Sequence, residues 1–428
     1  MIETSNLIIQ MLVFFILSFF PFIYLIKFTN GIKDHDIISF FGINFLFTLN
    51  IILFTSFINP SKIMLFISIF FISLISALYT LAKNKINNSN FLIVFFLFLL
   101  FFFISVDIAN NFNFSWDVKK YYLPKATAFF QNYFVEDLTK KTEYPYYPSY
   151  LWAFFWKNSF LSYEYFGRMV YGYIYILSIF YFLTIQNLTN VLKIIFSFLI
   201  LFISYQTELF DGRPDVLIFA YCLFVAKHLF QIFNNNKNNF IDFLMIILSL
   251  NLILWTKSEG LAYTLIITLS IILFLKKNIK MKFFLGFSIL ALVVLKLFIY
   301  NYFGLSLNPN VETFSFEILN KINFNFIFIR SYQIVAWYLM YFLTNPIMII
   351  SLISFLTILI YEKKIVKQFN YLYVIFILKF GVIFLTYMIT AYPMPFHLKY
   401  SLDRIIFHTS GLFLIIVIFC LNRFLKRN

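Results

Sequence analysis

Asp117 is the only acid in the stretch FNFSWDVKKYYLPKATAFF (residues 112–130), and Lys119, Lys120, Tyr121, Tyr122 and Lys125 follow it within eight positions. A carboxylate so placed suits one kind of chemistry. It takes a proton from an attacking group while nearby cations hold the negative charge that grows on a leaving group. The same position suits a helix N-cap, because Tyr121, Tyr122, Ala126, Phe129 and Phe130 recur at helical spacing and predict an amphipathic interfacial helix. Three further segments mix acids with bases. DGRPD sets Asp211, Arg213 and Asp215 together, with Pro214 suited to the first helical position and Asp215 to the first turn, where the helix dipole favours an anion. That accounts for Asp215 and leaves Asp211 and Arg213 without a local need. In WTKSEGL (255–261), Ser258 is the expected cap with Glu259 in the first turn. Lys257 and Glu259 lie between two apolar runs, where a charge costs about 2.5–3.5 kcal/mol, so each needs a partner or a wet cavity. HLKYSLDRIIFH (397–408) carries His397, Lys399, Asp403, Arg404 and His408. Arg404 and His408 share a helix face, and Asp403–Arg404 could equally anchor the chain at the interface.

These residues stand out because the rest of the chain is so apolar. Of its 428 residues 62% are hydrophobic and only 12% charged, with a mean hydropathy of +0.87. A soluble globule needs more polar surface than that, so the expected fold is all-α, a polytopic transmembrane bundle. The net charge of +15 follows from 33 basic and 18 acidic residues. Most lysines flank apolar runs, which fits membrane orientation rather than nucleic-acid binding. Cys222 and Cys420 fall inside apolar runs and form no ligand spacing. His228, mid-span, reads as a packed residue. No phosphate loop, nucleophile elbow or His/Cys metal box occurs.

The apolar runs predict about 13 spans, at 7–27, 38–58, 63–82, 91–106, 164–184, 190–205, 214–233, 241–256, 260–275, 283–303, 331–361, 371–391 and 405–422. The chain reads as one domain over 1–428, with four spans in 1–106, a large outer loop over 107–163 carrying amphipathic interfacial helices, and the remaining spans in 164–428. With 331–361 counted once, the short basic stretches at 83–85, 276–282, 362–367 and 423–428 all fall on one side, which the lysine bias makes cytoplasmic. The N-terminus is then outside and the C-terminus inside, in a membrane whose base-composition signature suggests a bacterial plasma membrane. Residues 206–215, 256–260, 304–330 and 392–404 share the outer face with 107–163. The tyrosines and tryptophans of EYPYYPSYLWAFFW (143–156) suit an aromatic belt at the headgroups.

The order SWDVKKYYLPKA, YPYYPSYLWAF, DGRPDVLIFAY, WTKSEGL and YSLDRIIFH resembles the motif order of the GT-C superfamily of integral-membrane glycosyltransferases, such as aminoarabinose transferases and protein O-mannosyltransferases. The similarity covers roughly 107–261 and 397–408. It implies transfer of a sugar from a polyprenyl-phosphate donor to a glycan, lipid or protein acceptor at the outer face, with the bilayer as the other partner and no nucleic acid. It implies Asp117 as general base. Arg404, Lys257, Arg213 and His397 would grip the donor phosphate, and Asp211, Asp215, Glu259, Tyr121 and Tyr122 would bind sugar or acceptor or support the cations. A divalent cation, magnesium or manganese, is a candidate cofactor with Asp117 its candidate ligand. Two alternatives are a lipid-linked oligosaccharide polymerase or ligase, whose outer arginines would exceed the few here, and a transporter or flippase, whose charges would lie mid-membrane.

Overall fold

The computed structural model describes residues 4–24, 36–58, 61–83, 88–140, 144–185, 188–206, 209–234, 240–275, 279–305, 324–390 and 393–427. Among them every regular element is a helix. Ten helices are long and apolar enough to cross a membrane, and four shorter apolar ones, Asn190–Ser204, Phe240–Thr256, Gly260–Phe274 and Pro346–Tyr361, pack among them. The expected outer loop 304–330 lies largely outside the described residues.

The helices divide by burial. Glu164–Ile185 and Asp215–Phe233 form the core, with 94% and 89% of their most apolar stretches buried, and Ile37–Ile58 and Met394–Phe424 pack around them. Phe324–Thr344 is only 11% buried and keeps Phe324, Phe328, Tyr332 and Leu339 on its outer surface. In water such a surface would drive association; in a bilayer it faces lipid tails.

Two boundaries differ from expectation. The expected single span 331–361 is two helices, Phe324–Thr344 and Pro346–Tyr361, parted at Asn345, whose side chain accepts the Met348 N–H. Pro346 cannot donate to a preceding turn, so the first helix stops and the second starts from the cap. Their contacts keep chain order. Arg330 donates to the Met388 and Thr390 carbonyls, Tyr341 to the Lys399 carbonyl, and Glu362 lies 3.9 Å from Arg423. The second difference is the last span, expected at 405–422 and observed as Met394–Arg427, 34 residues long. His397, Lys399, Asp403 and Arg404 therefore sit on a helix rather than ahead of one.

The 107–163 segment contains a π-helical turn at Val118–Tyr122, an α-helix at Leu123–Phe130, a 3₁₀ turn at Glu136–Lys140 and an α-helix at Tyr147–Lys157. The last is not an aromatic belt. Tyr146, Tyr147, Tyr150, Trp152, Phe154 and Phe155 are all buried against the protein. Gly167 permits this, since a Cβ there would meet the Trp152 carbonyl at 2.4 Å. Aromatic composition alone does not distinguish a headgroup layer from a protein core.

Candidate active site

Asp117 opens the π-helical turn but makes no capping hydrogen bond. Its carboxylate instead accepts from Arg404, Nη1 to Oδ2 2.9 Å, across 287 positions of sequence. Arg404 Nη1 also faces Asp215 Oδ2 at 4.0 Å, while its Nε donates to the Tyr400 carbonyl of its own helix. Nη2 carries no hydrogen bond among the described residues. Asp215 opens Asp215–Asn234, and its Oδ1 receives Lys257 Nζ at 2.9 Å and His408 Nε2 at 2.5 Å. With Nε2 donating, His408 Nδ1 accepts from the Tyr263 hydroxyl at 3.2 Å, so a neutral imidazole satisfies both partners. Four separate segments thus build one chain, Asp117–Arg404–Asp215–His408–Tyr263, with Lys257 as a side branch. Arg404 and His408, one helical turn apart, both reach Asp215.

Glu259 lies within electrostatic reach of Lys257, His408 and Asp215. Burial raises its carboxyl, but Lys257 and then His408 outweigh that and leave it below the ordinary carboxylate range. It is the residue before Gly260–Phe274 and makes no cap bond; the Ser258 hydroxyl donates to its Oε2 and accepts no helix N–H among the described residues. The expected Ser258 cap is therefore absent. Gly260 fixes the turn, since a Cβ there would lie 2.0 Å from the Ile253 carbonyl.

Tyr122 is buried and its hydroxyl has no hydrogen-bond partner among the described residues, although Asp215, Glu259 and Asp117 all lie within electrostatic reach. Burial, then Tyr144 and these acids, hold its proton well above the ordinary phenol value, so it remains a donor. Tyr121 packs on Trp116 and Tyr144, with Lys120 over both Trp116 and Tyr121. Tyr144 has φ +65°, a strained conformation for an aromatic residue, and Lys125 donates to its carbonyl at 2.6 Å. The lysines after Asp117 do not surround it. Lys119 and Lys120 are exposed, and the cations that reach the acids come from distant segments.

Arg213 and Asp211 pair with each other beside that chain. Arg213 Nε lies 3.1 Å from Asp211 Oδ2, and Asp211 also accepts the Ser115 N–H at 3.3 Å, two residues before Asp117. Gly212, at φ +106°, makes the turn, and a Cβ there would meet Trp152 at 2.6 Å. Arg168, fully buried, braces the same region through Glu164 and the Asn111 and Phe210 carbonyls. His397 accepts or donates through Nδ1 to Thr390 at 2.7 Å and lies two turns from Arg404. Sequence reasoning left Tyr144, Tyr263 and Arg168 off the site, and only the charge of Arg168 in an apolar run could have flagged it.

No protein-family model, curated protein or solved structure matches the chain. Among the described residues no three His, Cys, Asp or Glu side chains are grouped to hold a metal ion. Asp117, the candidate ligand, shares Arg404 with Asp215, so the cation between those carboxylates is a guanidinium. The donor set does not fit a divalent ion.

Proposed function

We propose that the chain is an integral-membrane glycosyltransferase that moves a sugar from a polyprenyl-phosphate donor to an acceptor at the outer membrane face. The observation that carries this reading is the Asp117–Arg404 pair, in which a carboxylate and a guanidinium with a spare Nη2 meet beside Asp215 and Lys257. A phosphate leaving group needs cations more than it needs a general acid. Arg404 offers Nη2, and Lys257 retains donors beyond its bond to Asp215. When the donor phosphate takes up Arg404, Asp117 is released to accept the proton of the acceptor hydroxyl. The bond from that oxygen to the sugar C1 forms as the C1–O(phosphate) bond breaks, and the electron pair stays on the polyprenyl phosphate. Asp215 is held through Oδ1 by Lys257 and His408, and its Oδ2 faces Arg404 at 4.0 Å, so it stands among cations, which supports a single displacement with inversion rather than a covalent intermediate. An open groove of about 580 Å³ lies along Leu123, Pro124, Thr127, Ala128, Gln131 and Tyr133, on the helix that follows Asp117.

Thirteen traverses, with Phe324–Thr344 and Pro346–Tyr361 as one broken crossing, fit contacts that run from Arg330 at Met388, the end of Asn370–Met388, through Tyr341 at Lys399 to Glu362 at Arg423. With the lysine-rich stretches on the opposite side, this supports an extracytoplasmic site, an outer N-terminus and a cytoplasmic C-terminus in a bacterial plasma membrane.

The test is incubation of purified protein in lipid discs with a panel of polyprenyl-phosphate sugars and candidate acceptors, followed by mass analysis. One donor is expected to be consumed with release of polyprenyl phosphate. Arg404→Ala should weaken donor binding by about tenfold or more, the loss of a charge-assisted bond, and acceptor binding far less. Equal weakening of both, or no donor consumed by the wild type, would overturn the reading.

A further inference from the structure

Beside the charged chain, unpaired donors gather between the ends of Phe240–Thr256 and Ile279–Tyr302. The Trp255 indole N–H and the Tyr300 hydroxyl are buried without hydrogen-bond partners among the described residues, and their rings lie 5.8 Å apart. Lys296 is buried next to them, with Nζ 5.7 Å and 5.4 Å from the two ring centres. It donates to the Leu254 carbonyl at 2.7 Å. Among the described residues no carboxylate lies within 4.0 Å of it.

A lysine on a helix-end carbonyl is ordinary capping, and Leu254 is in the last turn of its helix. Capping explains Lys296 but not the other two. A tryptophan N–H can only donate, an ammonium can only donate, and a buried donor left unpaired costs free energy that folded proteins rarely leave uncompensated. The three groups thus offer spare donors, and beside them stand the Leu254 carbonyl, already taken by Lys296, the Tyr300 oxygen and the Tyr146 hydroxyl, which is shared with Ser56. Lys257 follows Trp255 by two positions, and Glu259 is within electrostatic reach of Lys296, so this cluster adjoins the candidate active site.

We propose that Trp255, Tyr300 and Lys296 form a subsite for a compact anion, a carboxylate or phosphate group brought in by the transferred sugar or by its lipid donor. Which molecule brings the anion rests on the transferase reading; the binding of an anion does not.

The test uses the full-length protein in lipid discs with three probes: sodium glucuronate, a short-chain prenyl phosphate, and glucose as a neutral control. The variants are Trp255→Phe and Tyr300→Phe, which remove one donor and keep the ring, and Lys296→Met. Without probe, the two Phe variants are expected to unfold at or above the wild-type temperature, because an unpaired buried donor has gone. One of the two anions should bind the wild type, Lys296→Met should weaken it about tenfold or more, and Tyr300→Phe and Trp255→Phe about three- to tenfold. Glucose should show no such dependence. Sensitivity of glucuronate binding assigns the anion to the sugar, and sensitivity of prenyl phosphate binding assigns it to the donor phosphate. Wild-type affinity for both anions in all three variants would overturn the proposal. If the protein transfers no sugar while Lys296→Met still loses anion binding, the transferase reading falls and the subsite stands.

Discussion

Among the described residues are two Asp–His–Tyr chains, and they differ in what they leave over. At one end of the bundle, His408 bridges Asp215 and the Tyr263 hydroxyl. At the other, His228 Nδ1 meets Asp242 at 2.7 Å and Nε2 meets the Tyr181 hydroxyl at 2.7 Å, with Lys227 on Ser39 and over the Tyr181 ring. The second chain is closed: both imidazole nitrogens and the lysine have partners, and the cluster ties Ile37–Ile58, Glu164–Phe182, Asp215–Asn234 and Phe240–Thr256 together. The first chain is open. Arg404 Nη2, Asp215 Oδ2, the Tyr122 hydroxyl and most of Glu259 keep unused hydrogen-bonding capacity. Buried charge in a membrane protein marks either purpose; spare capacity separates a site from a clamp.

Substitutions at the two ends should therefore fail differently. Asp117→Asn removes the proposed base and should lower transfer by about 10²–10⁴-fold while the protein still inserts and accumulates. Transfer at the wild-type rate would remove Asp117 from the chemistry. Asp242→Asn breaks a buried pair and should cost about 3–5 kcal/mol of stability, read as a fall in unfolding temperature. The turnover of the fraction that remains folded should stay near wild type. A selective loss of turnover without loss of stability would show that the closed end takes part in function.

The smallest effect concerns pH. Lys257 and His408 hold the Glu259 carboxyl below its ordinary range despite burial. A depressed folded-state value means that the stabilisation is present above the unfolded value, about 4.3, and is lost as pH falls through the folded one. The unfolding temperature of Glu259→Gln should thus lie below that of wild type near pH 6, and the gap should close in more acidic solution. A gap independent of pH would mean that Glu259 acts by packing alone.

How much of this could be read in the sequence follows from cost. Asp117, Asp215, Lys257, Glu259 and Arg404 were legible because charges are expensive in an apolar chain and therefore conspicuous. The pairing of Asp117 with Arg404 was not, because no local pattern links residues 287 positions apart. Arg213 had a charge but no readable address, and its pairing with Asp211 two positions away shows only in the structure. Tyr144, Tyr263 and Tyr300 are indistinguishable by type from the other aromatics among 29 tyrosines and 65 phenylalanines. The helical class and the membrane were legible from composition. The break at Asn345–Pro346 and the early start of the last helix were not, since an apolar run fixes a span only to within a turn or more.

Whether Asp117 and Arg404 meet at an outer face can be measured directly. With Cys222 and Cys420, both buried, replaced by Ser, the doubly substituted protein Asp117→Cys/Arg404→Cys is treated in sealed vesicles of outward orientation with a short, membrane-impermeant bifunctional thiol reagent. The account predicts an internal cross-link in the sealed vesicles. A pair that cross-links only after the vesicles are opened, or that never cross-links, would contradict it.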